Sequence, residues 1–162
     1  MKVGLFDFQR DAQDDLHAKI KEAKPTASID NPKIISFSAP TGSGKTIVMT
    51  ALFEDIFFGA PDFEAQPDAA ILWISDIPEL NEQTRMKIES KSDRIRVRQL
   101  VNIDANFDEE KLEGGRIYFV NTQKLGSDKL LTRRGDGRQY RIWETFNNTA
   151  MSAPDKFYVV ID

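Results

Sequence analysis

Residues 38–46 read Ser-Ala-Pro-Thr-Gly-Ser-Gly-Lys-Thr and lie between two segments with different hydrophobic patterns. Residues 33–37, which precede them, form a short β-branched apolar run that is typical of a buried strand. After them, apolar residues recur at helical spacing, at Ile47, Val48, Ala51, Leu52 and Ile56. This order predicts a strand, a glycine-rich loop and a helix.

The loop has the chemistry of a phosphate-binding site. Gly42 and Gly44 lack Cβ atoms, so the backbone can curve into a nest whose N–H groups point at an anion. Lys45 supplies a positive charge for the β- and γ-phosphates and is a predicted catalytic residue, while Thr46 supplies a hydroxyl for Mg²⁺. The predicted cofactors are therefore ATP and Mg²⁺. The predicted cofactor-binding residues of the loop are Pro40, Thr41, Gly42, Ser43, Gly44, Lys45 and Thr46.

Composition narrows the class of protein. The 162 residues are 40% hydrophobic and 30% charged, which is typical of a single globular domain. The sequence contains no cysteine, which excludes a disulfide framework and a cysteine metal site and fits a cytoplasmic location. No segment approaches the roughly 20 apolar residues of a membrane span, so we expect no membrane partner.

Positive charge is concentrated in two stretches of a chain whose net charge is −4. One contains Arg85, Lys87, Lys91, Arg94, Arg96 and Arg98, and the other contains Lys124, Lys129, Arg133, Arg134, Arg138 and Arg141. Only such local patches could serve a nucleic acid, and for either stretch taken alone an ordinary solvated surface is the favoured interpretation. Tyr140 and Trp143 could stack bases there, but core packing is the favoured interpretation.

The rest of the chain alternates strands with helices. Strands are predicted at residues 33–37, 69–74, 94–99, 116–121 and 157–162. Residues 94–99 alternate charged residues with Ile and Val and should form a half-exposed strand. Helices are predicted at residues 8–23, after Pro78, and near residues 140–146. The alternation predicts an α/β fold with a mainly parallel sheet and helices on both faces.

The phosphate loop departs from the general pattern G-x-x-x-x-G-K-[ST] at its first position, which is Ala39. The resulting Ala-x-x-Gly-x-Gly-Lys-Thr resembles the loop of superfamily 2 helicases and translocases. Phe8 and Gln9 resemble the glutamine motif that precedes the loop in these proteins. The resemblance implies that Gln9 reads adenine, with Phe8 beside it in the cofactor site, and a glutamine amide can match the N6 and N7 edge of that base.

Two further stretches resemble elements of the superfamily that contact nucleic acid. Residues 71–84 look like motif Ia, a strand followed by a Leu-x-x-Gln-Thr helix start, where free N–H groups can bind a phosphate. An ordinary strand-to-helix turn remains the alternative for this stretch. Residues 122–125 resemble the Thr-Gln element of type III restriction-type motors. The resemblance implies nucleic-acid contacts for Asp76, Leu80, Gln83, Thr84, Thr122, Gln123 and Lys124.

The last residues, 157–162, have the form of a Walker B strand. The resemblance makes Asp162 a catalytic residue that holds Mg²⁺ together with Thr46. In the superfamily Glu-Ala-His follows, and a second RecA-like domain supplies arginine fingers. We therefore expect a RecA-like P-loop NTPase domain truncated after the Walker B strand, which is part of the first RecA-like domain of a longer protein. Residues 1–32 would form the glutamine-motif helix and linker, and residues 33–162 the P-loop core.

The function predicted from these residues is the ATP-binding part of a nucleic-acid-dependent ATPase motor of the helicase or translocase type. The motor subunit of a restriction system is one candidate for that motor. We expect ATP hydrolysis in the full-length protein and little in this part alone, because arginine fingers contribute about 10³ to 10⁵ in rate. The expected partners are nucleic acid, with DNA favoured over RNA, a second RecA-like domain and restriction-modification subunits. A small P-loop kinase and a stand-alone nucleotide-binding module remain the alternatives.

Overall fold

A computed structural model describes residues 1–135 and 137–162, and within these ranges the chain forms a four-stranded sheet in the order β2-β3-β1-β4. The strands are β1 (Ala70–Ser75), β2 (Leu100–Asn102), β3 (Arg116–Asn121) and β4 (Phe157–Ile161). Every pairing is parallel, and β1 is central, with Ile71 in register with Ile117 of β3 and with Tyr158 of β4. Parallel neighbours need long crossover connections, which here contain the helices.

Helices cover both faces of the sheet. Within the described ranges they are α1 (Asp7–Ala23), α2 (Lys45–Phe58), α3 (Pro78–Lys91) and α4 (Ile142–Ser152). The side chains of β1 alternate between two cores. In the first core, Trp73 packs with α1, α2 and α3, and in the second core, Leu72 packs with α4. The prediction of an α/β fold with a parallel sheet and helices on both faces is therefore confirmed.

The predicted elements with a strong hydrophobic pattern form close to their expected positions. The helix expected at residues 8–23 is α1, and the strands expected at 69–74, 116–121 and 157–162 are β1, β3 and β4. The helix expected near residues 140–146 begins at Ile142 and continues to Ser152. None of the helices in the described ranges combines the length and the apolar character needed to cross a bilayer.

The prediction of a buried strand at residues 33–37 is wrong. This segment is extended but pairs with no strand among the described residues, and Ile34 is 91% exposed. Ile35 and Phe37 are only partly buried against the first core. The apolar sequence is suited to a strand, but a strand also needs a neighbour with which to exchange backbone hydrogen bonds, and the free edge of β4 does not pair with this segment.

The half-exposed strand predicted at residues 94–99 is also wrong. Val97–Gln99 forms a 3-10 turn, and β2 begins only at Leu100. Ile95 is 4% exposed and Val97 is 56% exposed, so the two apolar residues do not share one face as strand alternation requires. The pattern of alternating charge therefore reflects a surface turn.

The burial of Phe53 in the first core predicts a measurable loss of stability when its ring is removed. Phe53 of α2 is 1% exposed and meets Trp73 edge-to-face at a centroid distance of 6.1 Å. We expect Phe53→Ala to lower the free energy of unfolding by about 3–5 kcal/mol, because the ring leaves a cavity beneath the sheet. Urea unfolding monitored by circular dichroism measures this value. Phe6→Ala is the matched control, since Phe6 is 68% exposed, and equal losses in the two variants would contradict the core assignment.

Candidate nucleotide and nucleic-acid site

The carboxyl ends of the strands gather several predicted site residues at one edge of the sheet. Asp76 follows β1, Thr122 follows β3 and Asp162 follows β4. The amide of Asp162 donates to the carbonyl of Ile74 at 2.9 Å, which continues the pairing of β4 with β1. The hydroxyl of Thr122 donates to Oδ1 of Asp76 at 3.2 Å. Two residues predicted from separate motifs are thus in direct contact.

The glycine loop lies at this same edge because of the direction of α2. The end of α2 is near the amino ends of the strands, where the amide of Gln66 donates to the carbonyl of Ile56 and the hydroxyl of Tyr158 donates to Oε1 of Gln66. The helix therefore runs antiparallel to the strands, and its first residue, Lys45, is at their carboxyl ends. In open parallel sheets this edge is where ligands bind.

The loop has the backbone geometry of an anion nest. Gly42 and Gly44 have φ values of +82° and +85°, which side chains with a Cβ rarely adopt. These conformations expose successive N–H groups next to the positive end of the α2 dipole. Nζ of Lys45 donates to the carbonyl of Ala39 at 3.0 Å, so the lysine folds back across the loop. Oγ of Ser43 is buried without a hydrogen-bond partner among the described residues.

Gln9 connects α1 to the loop, a contact that sequence reasoning did not anticipate. Gln9 is buried, with 3% of its surface exposed. Nε2 donates to the carbonyl of Ser43 at 2.9 Å, and Oε1 accepts from the amide of Phe6 at 3.0 Å. The second bond caps the start of α1, and its sequence signal is a glutamine at the third helical position. Both ends of the amide are therefore engaged within the protein.

The aromatic residues beside Gln9 remain at the surface. Phe6 and Phe8 are 68% and 56% exposed, and their rings stack with a centroid separation of 5.9 Å and an interplanar angle of 10°. Exposed aromatic faces of this kind can accept a further planar ring. Phe8, which the sequence placed in the cofactor site, is accordingly accessible next to the residue that holds the loop.

The residues present fit a magnesium nucleotide. The nest and the helix start suit a phosphate, and the hydroxyl of Thr46 and the carboxylate of Asp162 are the hard oxygen ligands that Mg²⁺ prefers. No group of three or more His, Cys, Asp or Glu side chains in the described part of the chain is arranged to hold a metal alone. In nucleotide sites Mg²⁺ is bound through one or two protein oxygens together with substrate phosphates.

The residues predicted to meet nucleic acid differ in their accessibility. Leu80 is 39% exposed, and Gln83 is exposed on the same helix. Thr84 is 6% exposed, so its side chain is turned toward the interior. Gln123 is exposed in the 3-10 turn Thr122–Leu125, whereas Nζ of Lys124 is engaged with the carbonyl of Ile103 at 2.9 Å. The surface offered is therefore formed mainly by Leu80, Gln83 and the turn.

A buried polar contact fixes the start of α3 against the sheet. Oγ of Ser75, the last residue of β1, donates to Oδ1 of Asn81 at 2.8 Å. Ser75 and Asn81 are 1% and 7% exposed. Buried polar groups need a partner, and the hydroxyl of Ser75 also lies within hydrogen-bond distance of the carbonyl of Ile77, at 3.1 Å. Sequence reasoning missed this pair because no local pattern links a strand end to the second turn of a helix.

The Gln9–loop contact predicts different effects at the two glycines. A Cβ on Gly44 would lie 2.5 Å from Nε2 of Gln9, whereas a Cβ on Gly42 would have nothing within 4 Å. Alanine at either position should lower the free energy of unfolding by about 1–2 kcal/mol, because a residue with a Cβ is strained in the left-handed backbone conformation. Gly44→Ala should lower it further, because the side chain of Gln9 must move. Urea unfolding measures both variants.

A double variant separates the backbone strain from the collision with Gln9. In a Gln9→Ala background the collision disappears, so the extra loss caused by Gly44→Ala should disappear as well, giving clear non-additivity. Gly42→Ala is the matched control and should add to Gln9→Ala without coupling. Equal losses for the two glycine variants in the parent would show that Gln9 does not support the loop.

Comparison with known protein families identifies the family of this chain. Residues 2–162 match the model of a protein family described as type III restriction enzyme, res subunit. No curated protein and no solved structure gave a significant match. The family match covers nearly the whole chain and includes the glycine loop and the strand that leads to Asp162. The chain therefore belongs to the type III restriction enzyme res subunit family, whose helicase-like ATPase domain has a RecA-like P-loop fold.

Proposed function

We propose that this chain is the ATP-binding part of a nucleic-acid-dependent motor of the helicase or translocase type. The observation that carries the proposal is the shared edge: the glycine loop, Asp162 and the Asp76–Thr122 contact all lie at the carboxyl ends of parallel strands. In a motor, nucleotide and nucleic acid must act on the same part of the fold. Here Asp162 of the proposed nucleotide site and the Asp76–Thr122 contact of the proposed nucleic-acid surface both adjoin the end of β1. Family membership supports the ATPase half of this assignment.

In the proposed nucleotide site each residue has a separate role. The N–H groups of the loop and of the first turn of α2 bind phosphate oxygens, and Lys45 leaves the carbonyl of Ala39 to contact the same oxygens. Thr46 and Asp162 would hold Mg²⁺, which when bound neutralises charge on the β- and γ-phosphates. Phe8 offers a ring face for adenine.

Gln9 would need to exchange one of its two internal hydrogen bonds in order to read adenine. Its buried amide is satisfied by Ser43 and Phe6, and a base edge would have to replace one of these partners. Adenine reading by Gln9 therefore implies that nucleotide binding changes the contact between α1 and the loop. The loop residues Pro40, Thr41, Gly42, Ser43 and Gly44 are the segment that such a change would move.

The proposed nucleic-acid surface comprises the helix start of α3 and the turn after β3. We propose nucleic-acid contacts for Asp76, Leu80, Gln83, Thr122, Gln123 and Lys124. Thr84 is left out, because its side chain is 6% exposed and its amide lies in the interior of α3, where the helix uses it. At the start of α3, Pro78 has no N–H group and the amide of Leu80 donates to the carbonyl of Ile77 at 3.1 Å, so the amide of Glu79 is the donor left for a phosphate. The carboxylate of Asp76 is held by Thr122. We propose DNA rather than RNA as the ligand, a second RecA-like domain and restriction-modification subunits as partners, and a cytoplasmic location.

The nucleotide site is tested by Lys45→Ala. The substitution should abolish the MgATP-induced rise in melting temperature, because the charge that faces phosphate is removed. Stability without nucleotide should change by less than about 1 kcal/mol, since the exposed lysine makes one bond to Ala39. Lys87→Ala is the matched control on an exposed face of α3. Equal nucleotide-induced stabilisation in Lys45→Ala and the parent would reject the phosphate-loop assignment.

Nucleic-acid binding should be weak and steeply dependent on salt. The net charge is −4, so only local basic residues oppose the repulsion of a phosphate chain. Fluorescence anisotropy with a labelled single-stranded oligonucleotide should show affinity falling as salt rises, with a linear slope on logarithmic axes. Affinity that stays constant between low and high salt would mean that phosphate contacts do not dominate the complex.

A further inference from the structure

The first turn of α4 forms an open cavity that the motifs above do not explain. Its volume is about 550 Å³. It is lined by Tyr140, Arg141, Trp143, Glu144, Asn147 and Asn148. The lining combines aromatic rings, amides and charged groups, and it contains no residue of the proposed nucleotide site. A planar, polar-edged ligand suits such a surface better than an aliphatic one.

Trp143 is the central feature of this cavity. The sequence favoured core packing for it, but the structure leaves it 51% exposed, in contrast to Trp73, which is 3% exposed. Its indole meets the ring of Phe146 edge-to-face at 5.8 Å and 85°, and Phe146 is 8% exposed. Phe146 therefore supports one edge of the indole while a broad part of the indole surface faces solvent. A fixed, exposed indole is the usual platform on which nucleic-acid bases stack.

The charge around the cavity favours an anionic chain. Glu144 accepts from the amide of Arg141 at 2.8 Å and from Nη2 of Arg134 at 3.0 Å, and these contacts lower the pKa of its carboxyl to about 2. Nε of Arg141 also lies 3.4 Å from Oε2 of Glu144, so the carboxylate is paired with the guanidinium groups of two arginines. Arg133 is exposed, and it has no ion-pair partner within residues 1–135 and 137–162. The carboxylate of Asp108 also contacts this segment, through the amide of Tyr140 and the guanidinium of Arg138. Among the described residues, the four arginines between residues 133 and 141 therefore outnumber the two carboxylates that contact them, Asp108 and Glu144.

The direction of α4 places this cavity toward the carboxyl edge of the sheet. Near the end of the helix, Oγ1 of Thr149 accepts from the amide of Leu112, and shortly after it Lys156 pairs with Asp68 at 2.7 Å, just before β1 begins. The helix therefore ends near the amino ends of the strands and begins toward their carboxyl ends. The turn Thr122–Leu125, which belongs to the proposed nucleic-acid surface, follows β3 at that edge.

We propose that the Trp143 cavity binds an unstacked base of single-stranded nucleic acid, with the base stacked on the indole and the adjoining phosphates facing Arg133 and Arg134. The site extends the proposed nucleic-acid surface from the turn after β3 to the start of α4, and it rests on the proposed function. Stacking on an indole accepts every base, so the site contributes affinity without reading sequence. Asn147 is exposed beside the indole and can bond to a base edge.

The test compares two labelled ligands, a short oligothymidylate and a matched oligonucleotide of the same length with abasic residues, both at low salt. Trp143→Ala should weaken oligothymidylate binding by roughly 5- to 150-fold, the loss expected for one stacked base, and should leave binding of the abasic ligand unchanged. Trp143→Phe should restore part of the affinity. In the parent chain oligothymidylate should also quench tryptophan fluorescence, and in Trp143→Phe the remaining signal from Trp73 should not respond.

Ile29→Ala is the control, because Ile29 is 41% exposed, does not line the cavity and belongs to neither proposed site. Its affinity for both ligands should equal that of the parent. Oligothymidylate binding that is unchanged in Trp143→Ala would overturn this site while leaving the proposed nucleic-acid surface intact. Failure of the parent chain to bind either ligand would overturn both, whereas the proposed nucleotide site would still be judged separately by the MgATP thermal shift.

Discussion

The parallel pairing of β1 with β3 on one side and β4 on the other is the constraint on which the rest of the structure depends. Because β1 is buried on both faces, its alternate side chains enter two different cores, and each core needs its own layer of helices. Because all strands run in the same direction, the residues that follow them meet at one edge. The fold thus creates a shared edge before any particular site residue is considered.

The glycine loop is held in an unusual way for such a sheet. The extended residues before it have no paired neighbour among the described residues, so the loop is positioned by α2 behind it and by Gln9 beside it. The amide of Gln9 is buried and satisfied on both sides, which makes its contact with Ser43 costly to break. The N-terminal helix is therefore a structural part of the proposed nucleotide site, whether or not Gln9 also contacts a base.

The end of β1 connects the proposed metal ligand to the proposed nucleic-acid surface. The carbonyl of Ile74 accepts from the amide of Asp162, and Asp76, two residues further on, accepts from Thr122. Ser75 between them anchors α3 through Asn81. Asp162 is therefore linked through a short, hydrogen-bonded segment to both elements that we assign to nucleic acid.

The sequence by itself determined the glycine loop, the helix after it and the three longest strands, because glycine positions and apolar periodicity are local properties that a short segment carries alone. The parallel pairing seen in the structure is what brings Asp76, Thr122 and Asp162, which follow three of the strands, to one edge. Tertiary structure decided whether the extended run at residues 33–37 finds a hydrogen-bonding neighbour, whether Gln9 is already engaged and whether Trp143 is covered. Each of these depends on which distant groups pack nearby, and neither a strand ladder nor the burial of a side chain can be specified by the residues of one segment.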